Sequence, residues 1–441
     1  MAINRRKLLA GVAAGTAASI GFSARSYARI LGANERINIG LMGTHSRGAG
    51  LLGSFISVGG INVTHNCDVD RRVLAKTSKR IVSAGFPEPK SDKDIRKILE
   101  DPSLDALVIA APDHWHAVAG VMALEAGKHV YVEKPLSHNP HEGEIFVAAQ
   151  KKYKKIVQMG NQQRSSAESI ELMALIRGGL LGNIYRAETW YGNNRGSIGN
   201  GKIRTPPDWL DWSLWQGPAP HRDYKDNYVH YNWHWFWHWG TGEICNNAAH
   251  ELDIARWAMG IDFPEKVSVT AGRNFHSTDD WEMYDTMEVR YVFPGGKTIE
   301  WVGDSCNKVS RFGRGRGTLL LGTEGYAIVD RAGYEVYATD GTLVRQRNAP
   351  DRAVDTADLV GAGALTESHV KNFLQSIRGT THQQHSPIAD GHCSTLLCHL
   401  GNIAYRIGAD VYCDPASGRV VGEKANRFWR RDFKNGWNLS L

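Results

Sequence analysis

Residues 106–111 form a short apolar run rich in β-branched side chains, residues 118–126 are rich in helix formers that stop at Gly127, and residues 129–132 are apolar again. In that order they predict a buried strand, a crossover helix and a parallel strand. The first strand runs into Pro112-Asp113-His114-Trp115-His116 and the second into Glu133-Lys134-Pro135. Ligands bind outside the carboxyl ends of strands in open parallel sheets, so both segments are candidates for chemistry. Residues 37–42 read as an earlier strand leading through a glycine turn to a helix from Ala49, and residues 61–67 as the next strand. After Gln158 the pattern changes to short alternating stretches, 184–190, 287–293 and 297–302, with Pro294-Gly295-Gly296 as a hairpin turn between the last two. Helices are expected around 166–178, 250–259, 369–378 and 393–407. A chain of 441 residues exceeds what one core usually holds. The expected division is 1–33, 34–157 and 158–441.

The amino-terminal stretch stands apart. Asn4-Arg5-Arg6-Lys7-Leu8-Leu9 is a twin-arginine pattern, followed by a weakly apolar Ala/Gly-rich segment and small residues at Ser26 and Ala28. It reads as an export signal of a bacterial envelope protein, its apolar part shorter than the ~20 residues a spanning helix needs. The expected location is the periplasm or the exterior, reached through the twin-arginine (Tat) export machinery, without a stable membrane anchor. Of the formal charge of +6, four positive charges sit in the first 28 residues, leaving about +2 for the rest. That balance predicts no nucleic-acid partner, and the run Arg311-Phe312-Gly313-Arg314-Gly315-Arg316 reads as a solvated loop. Six scattered cysteines, without a Cys-x-x-Cys, read as small buried hydrophobes rather than a disulfide framework or a zinc site.

Gly43-Thr44-His45-Ser46-Arg47-Gly48 has the frame of the dinucleotide fingerprint with His45 where the middle glycine belongs. Such a side chain must point away or contact the cofactor, and the segment also suits an ordinary strand-to-helix turn. Asp68 ends the second strand, 25 positions after Gly43. A carboxylate there accepts hydrogen bonds from the adenosine ribose and repels a 2′-phosphate, favouring NAD, although Arg71 and Arg72 leave NADP open; Asp68 as a helix cap is the alternative.

These segments, with Cys67-Asp68-Val69-Asp70, Gly127-Lys128-His129-Val130-Tyr131-Val132-Glu133-Lys134-Pro135 and Gly160-Asn161-Gln162-Gln163-Arg164-Ser165, together resemble the Gfo/Idh/MocA oxidoreductases from about residue 35 almost to the carboxyl end. The resemblance implies an α/β fold: a Rossmann dinucleotide-binding domain followed by an α/β domain with a large, mostly antiparallel open sheet, often used for homo-oligomers. It implies a cis bond before Pro135 and a Lys134 that contacts the reacting hydroxyl and the nicotinamide. It also assigns the cofactor to Gly43, His45, Ser46, Arg47, Gly48, Asp68, Pro112, His114, His116, Glu133, Lys134 and Gln163.

The second half supplies Gly240-Thr241-Gly242-Glu243-Ile244-Cys245-Asn246-Asn247-Ala248-Ala249-His250, glycine-led and then helical, with Asn246, His250 and Asp253 on one face. By resemblance His250 is the proton acceptor, while Asn246 stands where the family has an aspartate. The expected site is a modified one: Lys134 and His250 share acid/base work, Asn246 orients a hydroxyl, and Asp253 is a structural acid near Arg256. Arg164 binds ligand or braces the domain junction. Tyr191, Asn193, Asn194 and Arg195 are candidate cleft residues. The aromatic run 230–239 offers Trp237 for stacking on sugar rings or for core packing; His234 and His238 have the spacing of a helical metal pair but lack the adjacent Glu of a metalloprotease pattern, so no metal is expected. The expected activity is NAD(P)-dependent oxidation or reduction of a secondary alcohol of a sugar, polyol or glycoside, with tightly bound, internally recycled cofactor, since free nicotinamide nucleotide is not expected outside the cytoplasm. Redox-neutral glycoside cleavage through transient oxidation of a ring hydroxyl, and non-catalytic carbohydrate binding, are the alternatives.

Overall fold

The computed structural model describes residues 36–349, 363–381, 383–434 and 436–441. The expected export segment, 1–33, lies outside the described residues.

Six short strands, β1 (Ile37–Met42), β2 (Ile61–Cys67), β3 (Lys90–Asp92), β4 (Ala106–Ile109), β5 (His129–Val132) and β6 (Val157–Met159), form an all-parallel sheet in the order β3-β2-β1-β4-β5-β6. The strand order reverses between β1 and β4, the switch point at which such sheets bind dinucleotides. Their side chains alternate between two cores. Ile39, Leu41, Val108 and Tyr131 meet helix Ser46–Val58 on one face, and Leu107, Ile109, Val130 and Val132 meet helices Asp113–Glu125 and Pro140–Tyr153 on the other. Helix Ala364–Arg378 returns to the first of these faces through Val370, Phe373 and Leu374.

β7 (Ile184–Gly192), β8 (Lys266–Gly272), β9 (Thr286–Val292), β10 (Thr298–Asp304), β11 (Arg316–Gly322), β12 (Tyr326–Asp330), β13 (Gly333–Tyr337), β14 (Leu343–Asn348) and β15 (Val411–Tyr412) build a second sheet. Its order is β14-β13-β12-β11-β7-β10-β9-β8-β15, and only β7 and β10 pair in parallel. One face, carrying Met287, Val289, Tyr291, Ile299, Trp301, Leu320 and Val329, is covered by helices Ala249–Met259 and Ile388–Ile407. The Pro294–Gly296 turn joins β9 to β10 as the sequence predicts.

Between β7 and helix Ala249–Met259 the chain holds no long regular element. It folds instead around Trp212, Trp215, Tyr224, Tyr228, Trp233, Phe236 and Trp239. This aromatic cluster packs against the carboxyl end of the parallel sheet: Asp211 N–H donates to the Val69 carbonyl (3.0 Å) and His114 N–H to the Trp239 carbonyl (3.2 Å). All six cysteines are unpaired and five are buried. No helix among the described residues is long and apolar enough to cross a membrane.

Candidate active site

A cleft opens where the carboxyl ends of β1, β2, β4 and β5 face the second sheet and the aromatic cluster. Gly43, His45, Ser46 and Arg47 form one end. Gly43 has φ +77°, and a Cβ on it would lie 2.7 Å from the Ala110 carbonyl oxygen, so the turn tolerates only glycine. Gly48 lies behind the turn: its Cβ would meet the Gly43 oxygen at 1.9 Å. Helix Ser46–Val58 has no side-chain cap and no acid in its first turn. Its leading N–H groups therefore suit an anionic ligand such as a pyrophosphate, and the cleft end fits a dinucleotide. The His45 ring stacks on His230, centroids 4.5 Å apart, and Trp209 also stacks on His230, at 5.8 Å.

Asp68 reaches the cleft and accepts from Thr44 N–H (2.8 Å) and Asp70 N–H (2.9 Å). The cap of helix Arg71–Ser83 is Asp70, so the alternative reading of Asp68 as a cap is not realised. Arg71 pairs with Asp208, while Arg72 pairs with Asp70 and lies 3.4 Å over the Trp209 ring.

The Lys134–Pro135 bond is cis. Lys134 Nζ donates to the backbone oxygen (2.5 Å) and side-chain oxygen (2.8 Å) of Asn246, and burial lowers its pKa. Asn246 thus spends its amide oxygen on Lys134, and its Nδ2 donates to Glu243 (3.3 Å). The helix expected here begins with a π turn, Ile244–Ala248, before the α-helix Ala249–Met259. The wider turn adds a residue per turn, and Asn246, Asn247 and His250 all line the cleft. His250 makes no hydrogen bond among the described residues. Burial, with Arg331, Arg316, Lys134 and Arg47 around it, holds its pKa well below the ordinary histidine range, so it is a neutral imidazole at neutral pH.

Acids support this constellation from behind. Glu243 pairs with Arg195 (2.6 Å), and although burial opposes it, Arg195 keeps its carboxyl below the usual range. Arg316 makes two bonds to Glu251 (2.7 and 2.9 Å). Arg47 pairs with Glu133 (2.8 Å). Asp113, in the first turn of its helix, accepts from Thr241 Oγ1 (2.5 Å), and burial pushes its carboxyl up to about 6. His116 faces the Pro135 (2.6 Å) and Ala111 (2.7 Å) carbonyls and lines the cleft beside Pro112.

Several expected residues lie elsewhere. His114 is fully buried, its Nε2 on the Trp215 carbonyl, because the aromatic cluster covers that side of the helix. Gln163 is buried outside the cleft, and its neighbour Gln162 faces it, donating to Tyr131 and Glu133. Arg164 does not reach the cleft: it bonds Asp253 (2.7 and 2.9 Å) and Asp390 (3.0 Å), bracing helices Ala249–Met259 and Ile388–Ile407. Asp253 is therefore the partner of Arg164, and Ser394 bridges it to Arg256. Tyr191 lies behind the wall, its hydroxyl accepting from Asn193 and Arg195. Trp237 stacks on Tyr405, and Trp215, Tyr231, Trp233 and His234 line the cleft in its place. His234 and His238 turn to different carbonyls, those of Tyr231 and Pro220. The run expected to be solvated loop ends in Arg316, which is 1% exposed and faces the cleft. Arg316 and Arg331 were not legible as site residues: the β-pairing that carries them to the cleft is non-local.

Comparison with known proteins agrees with this architecture. The Gfo/Idh/MocA model described as an oxidoreductase family, NAD-binding Rossmann fold, matches residues 53–161, and that family's C-terminal alpha/beta domain matches 185–321, together a little over half of the chain. A glycosyl hydrolase family 109 protein of Saccharopolyspora erythraea is 29% identical over 157 residues, 34% of each chain. The match thus spans about a third of that curated relative's length. Among solved structures, the WlbA dehydrogenase of Bordetella pertussis, in complex with NADH and UDP-GlcNAcA, is 18% identical with a TM-score of 0.64, covering 86% of this chain and 99% of that one. The aldose-aldose oxidoreductase of Caulobacter crescentus, complexed with glycerol, is 19% identical with a TM-score of 0.63 over the same shares. At these identities the likeness is one of fold. With the parallel order β3-β2-β1-β4-β5-β6 and two successive domain matches, the chain belongs to the Gfo/Idh/MocA oxidoreductase family and carries its NAD-binding Rossmann fold.

Proposed function

We propose that the protein is an exported NAD-dependent oxidoreductase that acts on a secondary alcohol of a sugar, polyol or glycoside and keeps its cofactor bound between turnovers. The observation that carries this reading is the meeting of Lys134 with Asn246 beside the neutral, unbonded imidazole of His250, in the cleft that also receives the uncapped helix start. Bound NAD supplies the hydride acceptor and donor. Lys134 donates to the reacting hydroxyl oxygen and steadies the alkoxide, His250 takes the proton, and Asn246 positions Lys134. Gly43, His45, Ser46 and Arg47 take the pyrophosphate side and Asp68 the ribose. Arg71 and Arg72 are committed to Asp208 and Asp70, which supports NAD over NADP.

The twin-arginine pattern at residues 4–9 supports export of the folded, loaded protein to the periplasm or the exterior, and the division at 33 and 157 belongs to the same reading. The name of the Caulobacter structure, an aldose-aldose oxidoreductase, supports a second sugar as the partner that returns the hydride. The open nine-stranded sheet supports a homo-oligomer.

A second reading, redox-neutral glycoside cleavage, is favoured by the relative named for glycosyl hydrolase family 109. It uses the same Lys134 and His250. The test begins with protein purified without nucleotide: denaturation is expected to release near-stoichiometric NAD, identified by mass and absorbance. Aryl glycosides are then offered to the loaded protein. Sugar oxidation without aryl release supports the first reading, and aryl release without net NADH supports the second. A protein that neither carries nor takes up NAD or NADP defeats both and leaves carbohydrate binding alone.

A further inference from the structure

Six Lys and Arg side chains line the cleft, and four of them are neutralised: Arg47 by Glu133, Lys93 by Asp211, Arg195 by Glu243 and Arg316 by Glu251. Lys134 is held by the Asn246 amide. Arg331 alone has neither kind of partner among the described residues, although it is only partly exposed. It sits in the tight turn between β12 and β13. The neighbouring Asp330 carboxylate is taken by Arg314 (3.0 Å) and by Ala332 N–H (2.8 Å). Glu251, the acid that attracts it, is already doubly bonded to Arg316. Its other charged neighbours, Arg316 and Arg47, are positive. Burial, then Arg316, push its guanidinium down to about 9.

A guanidinium enclosed among cations is costly unless an anion joins it, and its planar fork suits a carboxylate in two-point contact. Arg331 is also the charge that presses hardest on His250, ahead of Arg316 and Lys134. An anion on Arg331 therefore lies at the end of the cleft where the proton moves, and it relieves the repulsion that keeps His250 a weak base.

We propose that Arg331 is a substrate-recognition residue that takes the carboxylate of an acidic sugar, a uronic acid or its glycoside, beside His250. This deepens the function proposed above and rests on it. The same guanidinium chemistry suits a cofactor phosphate, and the test separates the two sources. The full chain, loaded with NAD, is titrated with the methyl glycosides of glucuronic, galacturonic and mannuronic acid and with their neutral parent glycosides. Binding is read from tryptophan fluorescence, since Trp215 and Trp233 line the cleft.

At least one acid is expected to bind about 10-fold or more tighter than its neutral parent. Arg331→Gln is expected to shrink that preference to within about 2-fold, leaving the neutral sugar and NAD affinities unchanged, while Arg331→Lys retains part of it. Arg331 makes no hydrogen bond among the described residues, and its enclosed charge is costly without an anion, so neither variant is expected to melt below the parent. Equal binding of acids and neutral parents throughout, or binding of none by the NAD-loaded chain, overturns the proposal. So does a variant that loses NAD affinity while keeping the acid preference, which assigns Arg331 to a cofactor phosphate. A chain that prefers the acids yet takes up no NAD leaves Arg331 in its role and overturns the oxidoreductase reading instead.

Discussion

Asn246 stands where the resemblance places an aspartate, and its neighbours show what an amide does there. An amide oxygen accepts from Lys134 without adding negative charge, so burial is free to lower the lysine. Asn246→Asp places a carboxylate against Nζ and is expected to move the alkaline limb of kcat/KM upward by about one pH unit or more, read from a pH–rate profile. An unmoved limb would show that another group titrates there. Asp113 carries a different expectation. Its folded pKa, about 6, lies above the unfolded value, so its contribution to stability is full below about pH 4 and is lost as pH rises through 6. Asp113→Asn keeps an acceptor for Thr241 without the buried charge. It is expected to stabilise the protein at pH 7.5 by at most about 3 kcal/mol and to change little at pH 4, measured by denaturant titration at both pH values. His250, Lys134 and Asn246 were legible because their motifs are local. Gln162 was misread as Gln163 because a one-residue choice in a tight 3-10 turn, Gln162–Ser165, leaves no periodicity to decide it.

At the scale of elements, strands and the helix starts expected at 166 and 250 were read closely, and three other helix starts were not. The helix expected from residue 118 begins at Asp113, and those expected from 369 and 393 begin at Ala364 and Ile388. None of the three has a side-chain cap, so no capping residue marks the first turn in the sequence. The early start matters at Asp113–His116, because it turns His114 into the aromatic cluster while leaving Asp113 and His116 on the cleft. Arg164 shows how elements are tied together. Its side chain is 4% exposed and spans Asp253 and Asp390 on two helices that cover the second sheet. Arg164→Met leaves the buried Asp253 carboxylate without its cation, while Asp390 keeps Arg256. It is expected to cost about 3–5 kcal/mol in chemical denaturation while leaving the NAD affinity of the folded fraction unchanged. A loss of NAD affinity without loss of stability would return Arg164 to the ligand.

For the whole molecule, the cleft is made by parts far apart in the chain. β1, β4 and β5 supply the glycine turn and Lys134, the π turn supplies Asn246 and Asn247, and β11 and the β12–β13 turn supply Arg316 and Arg331. A ligand bound in this cleft stabilises only the folded state. Removing NAD by partial denaturation and refolding is expected to lower the melting temperature, and re-addition at about 1,000 times its dissociation constant to restore about 4 kcal/mol. A melting curve indifferent to NAD would mean that the nucleotide is not held across the cleft.

Local physics was enough for much of this protein. Apolar periodicity and glycine placement determined the strands and helices of the parallel module and the strand ends that carry Lys134 and Asp68, because strand, turn and helix signals act over a few residues. The alternation after Gln158 determined strands and one hairpin. Only the tertiary structure decided which aromatics are core and which face the cleft, that Asp253 answers Arg164, and that Arg316 turns inward. Those outcomes depend on pairings across tens to hundreds of residues, where burial makes each charge seek whichever partner the fold brings near.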